Sequence, residues 1–379
     1  MISQTFLILG GYGNIGRLIA ELLLKQTDTN LVLSGRNIEK AEMLAANFNQ
    51  KYPGNRVSAQ RVDAAEKLTL KNAFERVDLV IVASSSSEYM RNIAETAIEI
   101  GIDYIDCQYS IAKLQILNSL KKKIEGAGCC FITDAGFHPG LPAALIRYAA
   151  PYFDSLEKAY VGSMIKINWK NLSFSDYTVW EIIEELKKFK SCNCQHWQCK
   201  NRSKQFYFGW EFGKQTILPM FLEEIRTLPQ TIPSLKETGF FIGGFNWFVD
   251  YLVMPLGLAA LNLWPQKALK PVEKLLMWGL KTFSHPPYRT ILLLEASGWK
   301  NEQYKAMRVE VSHPDGYALT AISTVACLLQ YLDSSIRKDG LWLQAHLADP
   351  SRLLKDIQNL GATVKISEAI ELAEQMAIA

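Results

Sequence analysis

A glycine pattern near the start of the chain restricts its fold more than any other feature of the sequence. The apolar run 5–9 leads directly into glycines spaced as Gly11-x-Gly13-x-x-Gly16, and an amphipathic run over 15–25 follows. A strand, a glycine-rich turn and a helix in this order are typical of the first unit of a dinucleotide-binding fold. Glycine leaves main-chain N–H groups at the helix N-terminus open to a pyrophosphate, because no side chain occupies the phosphate's place. The opening therefore predicts a nucleotide site.

The end of the second predicted strand indicates which nucleotide is bound. About twenty residues after the glycine pattern, the apolar run 31–33 is followed by Ser34, Gly35, Arg36 and Asn37. An NAD-selective site carries an Asp or Glu here for the ribose 2′-hydroxyl, whereas a guanidinium suits a 2′-phosphate. We therefore predict NADP(H) rather than NAD(H). The alternative is that Arg36 is a solvated residue that opens the next helix.

Strand-like and helical runs continue to alternate as far as residue 133. The third to sixth predicted strands cover 57–62, 78–83, 104–107 and 129–133. This alternation implies an α/β fold with a parallel, doubly wound sheet, in which ligands gather at the carboxyl edge of the strands.

Short polar or small residues follow two of these strands. Asp63 and Ala64 come directly after the third strand, at a position suited to the adenine edge. Ala83 is the last residue of the fourth strand, and Ser84 and Ser85 begin a run of four serines. Their small hydroxyls allow a close approach to the nicotinamide ribose. A helix N-cap is the alternative role for these serines, and the two roles are compatible.

Composition limits the class of partner and the compartment. The net charge is +3 without a long basic run, so we expect no nucleic-acid partner. Seven cysteines, an odd number in 379 residues, do not form a disulfide framework and favour a reducing compartment. The first predicted strand begins within ten residues of the start, which leaves no room for a targeting peptide. We therefore expect a cytoplasmic protein.

Beyond the sixth strand the sequence resembles the saccharopine dehydrogenase (saccharopine reductase) family. The segment 133–142 contains Gly-Phe-His-Pro-Gly, which resembles that family's Gly-Phe-Asp-Pro-Gly motif. The glycine-rich opening, the predicted hairpin 290–312 with the helix after it, and the tail 340–364 are similar to the family as well. One position departs from the family's pattern, because His138 replaces its Asp.

The resemblance implies a Rossmann sheet interrupted by a second, mixed α/β domain for substrate binding and dimerisation. For this chain it implies an NADP-binding domain over 1–138, an inserted domain over 139–314 and a C-terminal return to the first domain over 315–379. It also implies hydride transfer to or from a C=N or C=O carbon of a small, amino-acid-derived substrate. We expect a homodimer. Two alternatives stay open: a lipid or enoyl reductase of the same family, and an NADP-binding, membrane-associated scaffold without turnover.

Candidate catalytic residues lie beside the carboxyl ends of the fifth and sixth strands. His138 can exchange a proton near neutral pH, and Asp134 can orient it or accept a carboxamide hydrogen bond. Tyr109 is a second candidate proton donor. Each has a structural alternative: a helix cap for His138, a turn residue for Asp134 and a packed ring for Tyr109. The predicted cofactor-binding residues are Gly10, Gly11, Tyr12, Gly13, Asn14, Ile15, Gly16, Ser34, Gly35, Arg36, Asn37, Asp63, Ala64, Ala83, Ser84, Ser85, Gly136 and Pro139.

A cysteine-rich segment of the inserted domain raises the question of a metal. Cys192, Cys194, His196 and Cys199 place four potential ligands within eight residues. Structural zinc sites usually separate their ligands into two pairs, and basic residues crowd this segment. The sequence therefore favours a reduced loop, and we predict no metal site.

The stretch 239–263 is strongly apolar, with Asp250 as its single charge. Its length is close to the roughly 20 residues that a bilayer span requires. Several glycines and Pro255 interrupt it, which favours a buried helical pair, a subunit interface or a lipid-facing pocket over a span. A peripheral membrane contact through this stretch stays open.

Overall fold

The apolar runs predicted as strands are strands in the structure. The structure is a computed structural model that describes residues 4–171, 203–264 and 267–368. In chain order its strands are β1 (Thr5–Leu9), β2 (Asn30–Gly35), β3 (Val57–Arg61), β4 (Leu79–Val82), β5 (Asp103–Asp106), β6 (Cys130–Thr133), β7 (Ser155–Lys166), β8 (Lys204–Tyr207), β9 (Lys214–Met220), β10 (Glu237–Gly243), β11 (Arg289–Lys300), β12 (Gln303–His313), β13 (Gly340–Leu343) and β14 (Thr363–Glu368).

Helices connect most of these strands, as the alternating pattern of the sequence predicts. The α-helices of the described residues are α1 (Gly16–Gln26), α2 (Ile38–Lys51), α3 (Lys67–Phe74), α4 (Met90–Ile100), α5 (Ile111–Gly126), α6 (Pro142–Ala149), α7 (Glu223–Arg226), α8 (Met254–Leu263), α9 (Leu269–Phe283), α10 (Gly316–Leu332), α11 (Gln344–Leu347) and α12 (Pro350–Asn359).

The first sheet has the strand order β13-β6-β5-β4-β1-β2-β3, and all its neighbouring pairs are parallel. The order reverses between β1 and β4, which is where a doubly wound sheet binds its ligand at the carboxyl edge. Strands covered on both faces are apolar throughout. Phe6, Leu7 and Ile8 of β1 accordingly have no exposed surface. The predicted parallel, doubly wound sheet is confirmed.

The second sheet has the order β14-β12-β11-β7-β10-β9-β8. It is mixed, because β10 runs parallel to β7 while the other pairs are antiparallel. The predicted hairpin is formed by β11 and β12. Pairing extends to Lys300 and Gln303, and Asn301 and Glu302 form the two-residue turn with φ of 49° and 63°. Two positive φ values match the right-handed twist of the strands.

The two sheets lie in two compact units, one of Met1–Leu141 with Tyr317–Gly361 and one of Pro142–Gly316 with Ala362–Ala379. The end of the chain differs from the expected return of 315–379 to the first domain. β13 joins the parallel sheet, but β14 pairs antiparallel with β12 in the second sheet. The pairing satisfies N–H and C=O groups of β12 that an edge strand would expose.

The apolar stretch 239–263 does not form one element. Its first residues belong to β10, and a π-helical turn, Val249–Val253, leads into α8. The turn and α8 pack against α9 through buried residues that include Val253, Met254 and Leu276. The stretch therefore forms part of a helical pair, which is one of the three alternatives that the sequence leaves open. In the described part of the chain, no helix combines the length and the hydropathy needed to cross a membrane.

Candidate nucleotide and substrate site

The glycine-rich turn after β1 is tied to the neighbouring strands. The N–H groups of Gly10 and Gly11 donate to the carbonyl oxygen of Ser34, at 2.8 and 3.0 Å. Gly10 has a φ of +85°, and a Cβ there would lie 2.8 Å from the Cβ of Ser84. Both the conformation and the space therefore require glycine. The turn brings the carboxyl ends of β1, β2 and β4 together.

The N-terminus of α1 presents unused hydrogen-bond donors. Ile15 is its N-cap residue and makes no side-chain cap. The main-chain N–H groups of Asn14, Ile15 and Gly16 have no acceptor in the described part of the protein. A Cβ on Gly16 would lie 2.2 Å from the carbonyl oxygen of Gly10, so glycine lets the helix approach the turn. Open N–H groups and the positive end of the helix dipole suit a pyrophosphate.

The turn after β2 is held by Tyr12. The hydroxyl of Tyr12 accepts a hydrogen bond from the N–H of Asn37 at 3.0 Å. Its ring lies against Gly35, where a Cβ would be 2.6 Å from Cε1 of Tyr12. Arg36 is exposed on this turn and forms no ion pair with any residue that the structure describes. The guanidinium is therefore available to an anion.

Two predicted cofactor contacts near Arg36 have side chains that form hydrogen bonds within the protein. Ser34 is fully buried, and its hydroxyl donates to the carbonyl oxygen of Ile8 at 3.0 Å. Ser34 lies inside β2, so its side chain meets the sheet rather than the carboxyl edge. The side chain of Asn37 caps α2 by accepting from the N–H of Lys40 at 2.8 Å. Asparagine is a common N-cap residue, which accounts for this hydrogen bond.

The serine run after β4 lies beside the glycine-rich turn. The N–H of Ala83 donates to the carbonyl oxygen of Leu9 at 3.0 Å. The hydroxyls of Ser84 and Ser86 lie 3.0 Å apart. A short 3₁₀ turn precedes α4, and neither Ser86 nor Tyr89 caps its helix with a side-chain hydrogen bond. The capping alternative is therefore not what the structure shows for these N-cap positions.

The segment after β3 is held by local hydrogen bonds. Asp63 accepts from the N–H of Ala65 at 3.1 Å, and its own N–H donates to Thr69 at 3.0 Å. Ala64 is buried. Because β3 pairs parallel with β2, Asp63 and Ala64 follow a strand that ends at the same edge as Arg36.

The loop 134–140 is fixed from the C-terminal part of the first unit. Ser323 and Thr324 of α10 donate to the carbonyl oxygens of Gly136 and Ala135, at 2.7 and 2.6 Å. Within the loop, the N–H of Gly136 donates to the carbonyl oxygen of Pro139 at 3.0 Å. These bonds hold Gly136 and Pro139 in one conformation beside the carboxyl edge.

His138 is half-buried in this loop, and a cis peptide bond joins it to Pro139. Burial lowers the pKa of His138 to about 3, because a desolvated imidazole resists protonation. The side chain is therefore neutral at pH 7. This differs from the expected proton exchange near neutral pH, which rested on the ordinary pKa of histidine. A neutral imidazole still donates one hydrogen bond and accepts another.

Asp134 belongs to a buried cluster of charges that sequence reasoning missed. Lys113 of α5 is fully buried, and its ammonium donates to Asp106 and Asp134 at 2.6 Å each. It also donates to the carbonyl oxygen of Gln108. Asp134 has a φ of 58°. The ion pair thus holds the first residue of the loop in an uncommon backbone conformation. Tyr109, half-buried, lies between Gln108 and the start of α5.

The second carboxylate of the cluster is also fully satisfied. Asp106 accepts from the hydroxyls of Tyr104 and Thr133 at 2.7 Å each. Burial alone would lower the pKa of Lys113, but the charges of Asp106 and Asp134 raise it above its ordinary value. Lys113 is therefore an ammonium ion. One signal in the sequence points to the cluster. Asp106 ends β5, Asp134 directly follows the adjacent strand β6, and α5 starts between these two residues in the chain.

The potential metal ligands Cys192, Cys194, His196 and Cys199 lie outside the described residues. The prediction that they bind no metal stays a prediction.

Comparison with known proteins identifies the nucleotide-binding part of the chain. Residues 6–130 match the family model described as "Saccharopine dehydrogenase NADP binding domain". A search of curated protein sequences finds no significant match. The matched segment contains the glycine-rich turn, Arg36 and the serine run.

Solved structures extend the similarity to both sheets. Apo saccharopine dehydrogenase (L-Glu forming) from Saccharomyces cerevisiae aligns with a TM-score of 0.67 at 14% identity, covering 97% of this chain and 100% of that one. This similarity shows a shared fold. A meso-dapdh mutant from Clostridium tetani E88 solved with DAP has a TM-score of 0.45 at 13% identity, covering 93% and 96%. An engineered D-amino acid dehydrogenase has 0.46 at 14%, covering 93% and 96%.

Proposed function

We propose that this chain is an NADP(H)-dependent oxidoreductase, because residues 6–130 match the model of a saccharopine dehydrogenase NADP-binding domain. It transfers hydride to or from a C=N or C=O carbon of a small, amino-acid-derived substrate. The observation that carries the proposal is the open N-terminus of α1 together with the exposed Arg36, which has no ion-pair partner among the described residues. One site binds a pyrophosphate and the other a 2′-phosphate. Loop 134–140 supplies the substrate side of the same edge.

The residues of the first unit have separable roles in this proposal. The N–H groups of Asn14, Ile15 and Gly16 bind the pyrophosphate, and Arg36 binds the 2′-phosphate. The cofactor, when bound, would supply or accept the hydride, and the accompanying proton would be exchanged with solvent. His138 acts as a neutral hydrogen-bond donor that orients the substrate's oxygen or nitrogen. Lys113 and Asp134 position the loop and take no part in proton transfer, since both are held in the buried ion pair.

We expect Arg36→Ala to weaken NADPH binding about 10- to 100-fold, because hydrogen bonds to charged groups contribute about 1.5–3 kcal/mol. NADH lacks the 2′-phosphate, so its affinity should change by less than about threefold. Fluorescence titration of both coenzymes measures the two changes. Arg91→Ala is the matched control, because Arg91 pairs with Glu95 on the surface of α4 at 3.3 Å. Equal losses for NADPH and NADH would remove Arg36 from the 2′-phosphate site.

We expect His138→Ala to lower kcat/KM about 2- to 10-fold, because a neutral hydrogen bond contributes about 0.5–1.5 kcal/mol. NADPH oxidation with an aldehyde or 2-oxo acid plus an amino acid, and NADP⁺ reduction with saccharopine, are the assays. Because the pKa of His138 is about 3, the wild-type protein and the variant should show the same dependence on pH above pH 5. His285→Ala, which changes an exposed histidine, is the control. A limb near the ordinary pKa of histidine that the variant loses would contradict a neutral His138, and an unchanged rate would make it structural.

A second candidate function is reduction of an enoyl or ketone group on a lipid. The exposed apolar side chains of α8 favour it. It keeps the same cofactor site, and an enoyl-lipid substrate presented in micelles tests it with the same readout. For either activity we propose a homodimer in the cytoplasm. Light scattering on the purified protein tests the dimeric state.

A further inference from the structure

One face of the second unit exposes apolar side chains in a regular pattern. Along the π-helical turn and α8, the exposed residues recur at intervals of three or four positions, twice as adjacent pairs, which puts them on one side of a helix. Leu256 and Leu263 expose 62% and 67% of their surface. Val253 and Leu261, on the opposite side, are buried. The exposed residues of this stripe are Tyr251, Leu252, Pro255, Leu256, Ala259 and Leu263.

The next helix, α9, exposes an apolar strip beside a basic one. Pro271, Leu275 and Trp278 are exposed at helical spacing. Lys270, Lys274 and Lys281 are exposed on the adjacent side of the same helix, since a rotation of about 100° per residue groups them together. The opposite side contributes Val272 and Leu276 to the core. We call the exposed surfaces of these two helices the apolar hairpin face.

Three exposed tryptophans lie on these helices or close to them in the chain. Trp247, Trp264 and Trp278 expose 57%, 59% and 52% of their surface. Tryptophan concentrates at membrane–water interfaces, because its ring is apolar and its N–H is polar. Isolated exposed apolar residues are normal, but two helices that pack against each other and both expose apolar stripes indicate an interaction surface.

The charges of the apolar hairpin face are complementary to an anionic surface. Its exposed charges are the lysines of α9 together with Lys267, whereas its acids, Asp250 and Glu273, are half-buried. Burial also raises the pKa of Asp250 to about 7, against hydrogen bonds from nearby main-chain N–H groups, so much of that acidic charge is absent near neutral pH. Exposed lysines each contribute about 1 kcal/mol to binding at an anionic lipid surface.

We propose that the apolar hairpin face docks this protein on the surface of an anionic lipid bilayer. The leucines of α8 and the tryptophans enter the headgroup–acyl boundary, and the lysines of α9 contact the headgroups. No described helix is long and apolar enough to span a bilayer, so the hairpin lies in the interface. A two-fold contact with a second copy would bury the same patch on both partners. It would therefore place two sets of lysines in one interface with few acids to pair them.

Vesicle flotation of the full chain tests the proposal. Vesicles of phosphatidylcholine alone are compared with vesicles of phosphatidylcholine and phosphatidylglycerol. We expect binding to the anionic vesicles to exceed binding to the neutral ones about tenfold or more. Leu256→Glu should lower binding to anionic vesicles at least about tenfold, because burial of one leucine is worth that much. Lys270→Glu with Lys274→Glu should remove the preference for anionic vesicles.

Matched controls separate docking from general stickiness. Trp210→Glu and Leu68→Glu change side chains that expose 90% and 70% of their surface elsewhere, and should leave flotation unchanged. Trp264→Glu replaces Leu256→Glu if the latter fails to fold, as judged by circular dichroism. Three outcomes would overturn the proposal: no flotation with either vesicle, equal loss in the control variants, or a dimer that Leu256→Glu converts to monomer without any vesicle binding. NADPH affinity should stay the same throughout, so docking and the proposed activity fail independently.

Discussion

Replacing Lys113 with Met is expected to lower the free energy of unfolding by about 3–5 kcal/mol. The substitution keeps the volume of the side chain but removes the cation between Asp106 and Asp134. Both carboxylates are buried, and a buried charge without its partner retains its desolvation cost. Urea unfolding, followed by far-UV circular dichroism, measures the loss.

Lys121→Met is the matched control in the same helix. Lys121 and Glu125 are about half-exposed and their charged atoms lie 4.0 Å apart, so the change should cost less than about 1 kcal/mol. Adding Asp134→Asn to Lys113→Met removes one unpaired charge and should recover part of the loss. A single Lys113 variant as stable as the control would contradict the strong coupling assigned to this cluster.

Gly13→Ala is expected to weaken NADPH binding on the order of 10²-fold, through the loss of about two charge-assisted hydrogen bonds. A Cβ on Gly13 would lie 3.1 Å from the carbonyl oxygen of Gly10 and within 4 Å of no other residue that the structure describes. The fold therefore tolerates this Cβ, whereas a phosphate bound at the turn would clash with it. Calorimetric titration measures the affinity, and urea unfolding should show a stability within about 1 kcal/mol of the wild type.

Two other glycines separate the effect on binding from the effect on packing. Gly16→Ala should reduce both NADPH affinity and stability, because its Cβ would lie 2.2 Å from the Gly10 carbonyl oxygen. Gly126→Ala, where a Cβ meets nothing within 4 Å, should change neither by much. If Gly13→Ala binds NADPH as tightly as the wild type, the phosphate does not approach this turn.

The first unit could be predicted because its local patterns and its tertiary structure agree. Each apolar run there is short and bounded by turn residues, and the glycine pattern fixes which edge binds a nucleotide. The second unit was harder to predict. β10 lies within an apolar stretch that also contains a helix, and periodicity does not separate a buried strand from a buried helix over so few residues.

Burial is the feature that the sequence does not reveal for Ser34, His138 and Lys113. Ser34 and His138 were assigned roles that suit an exposed hydroxyl and a solvated imidazole. Lys113 received no role from the sequence, yet it is fully buried. A one-dimensional pattern does not show how far a polar group is removed from water, and desolvation decides both its partner and its pKa.

The long sequence separation of the contacts to loop 134–140 has a consequence for how the protein is made. The glycine-rich turn after β1 is complete once the first strands have been synthesised. The hydroxyls that hold loop 134–140 belong to Ser323 and Thr324, which leave the ribosome almost two hundred residues later. For the proposed function, we therefore expect the nucleotide site to form earlier in translation than the loop that orients the substrate.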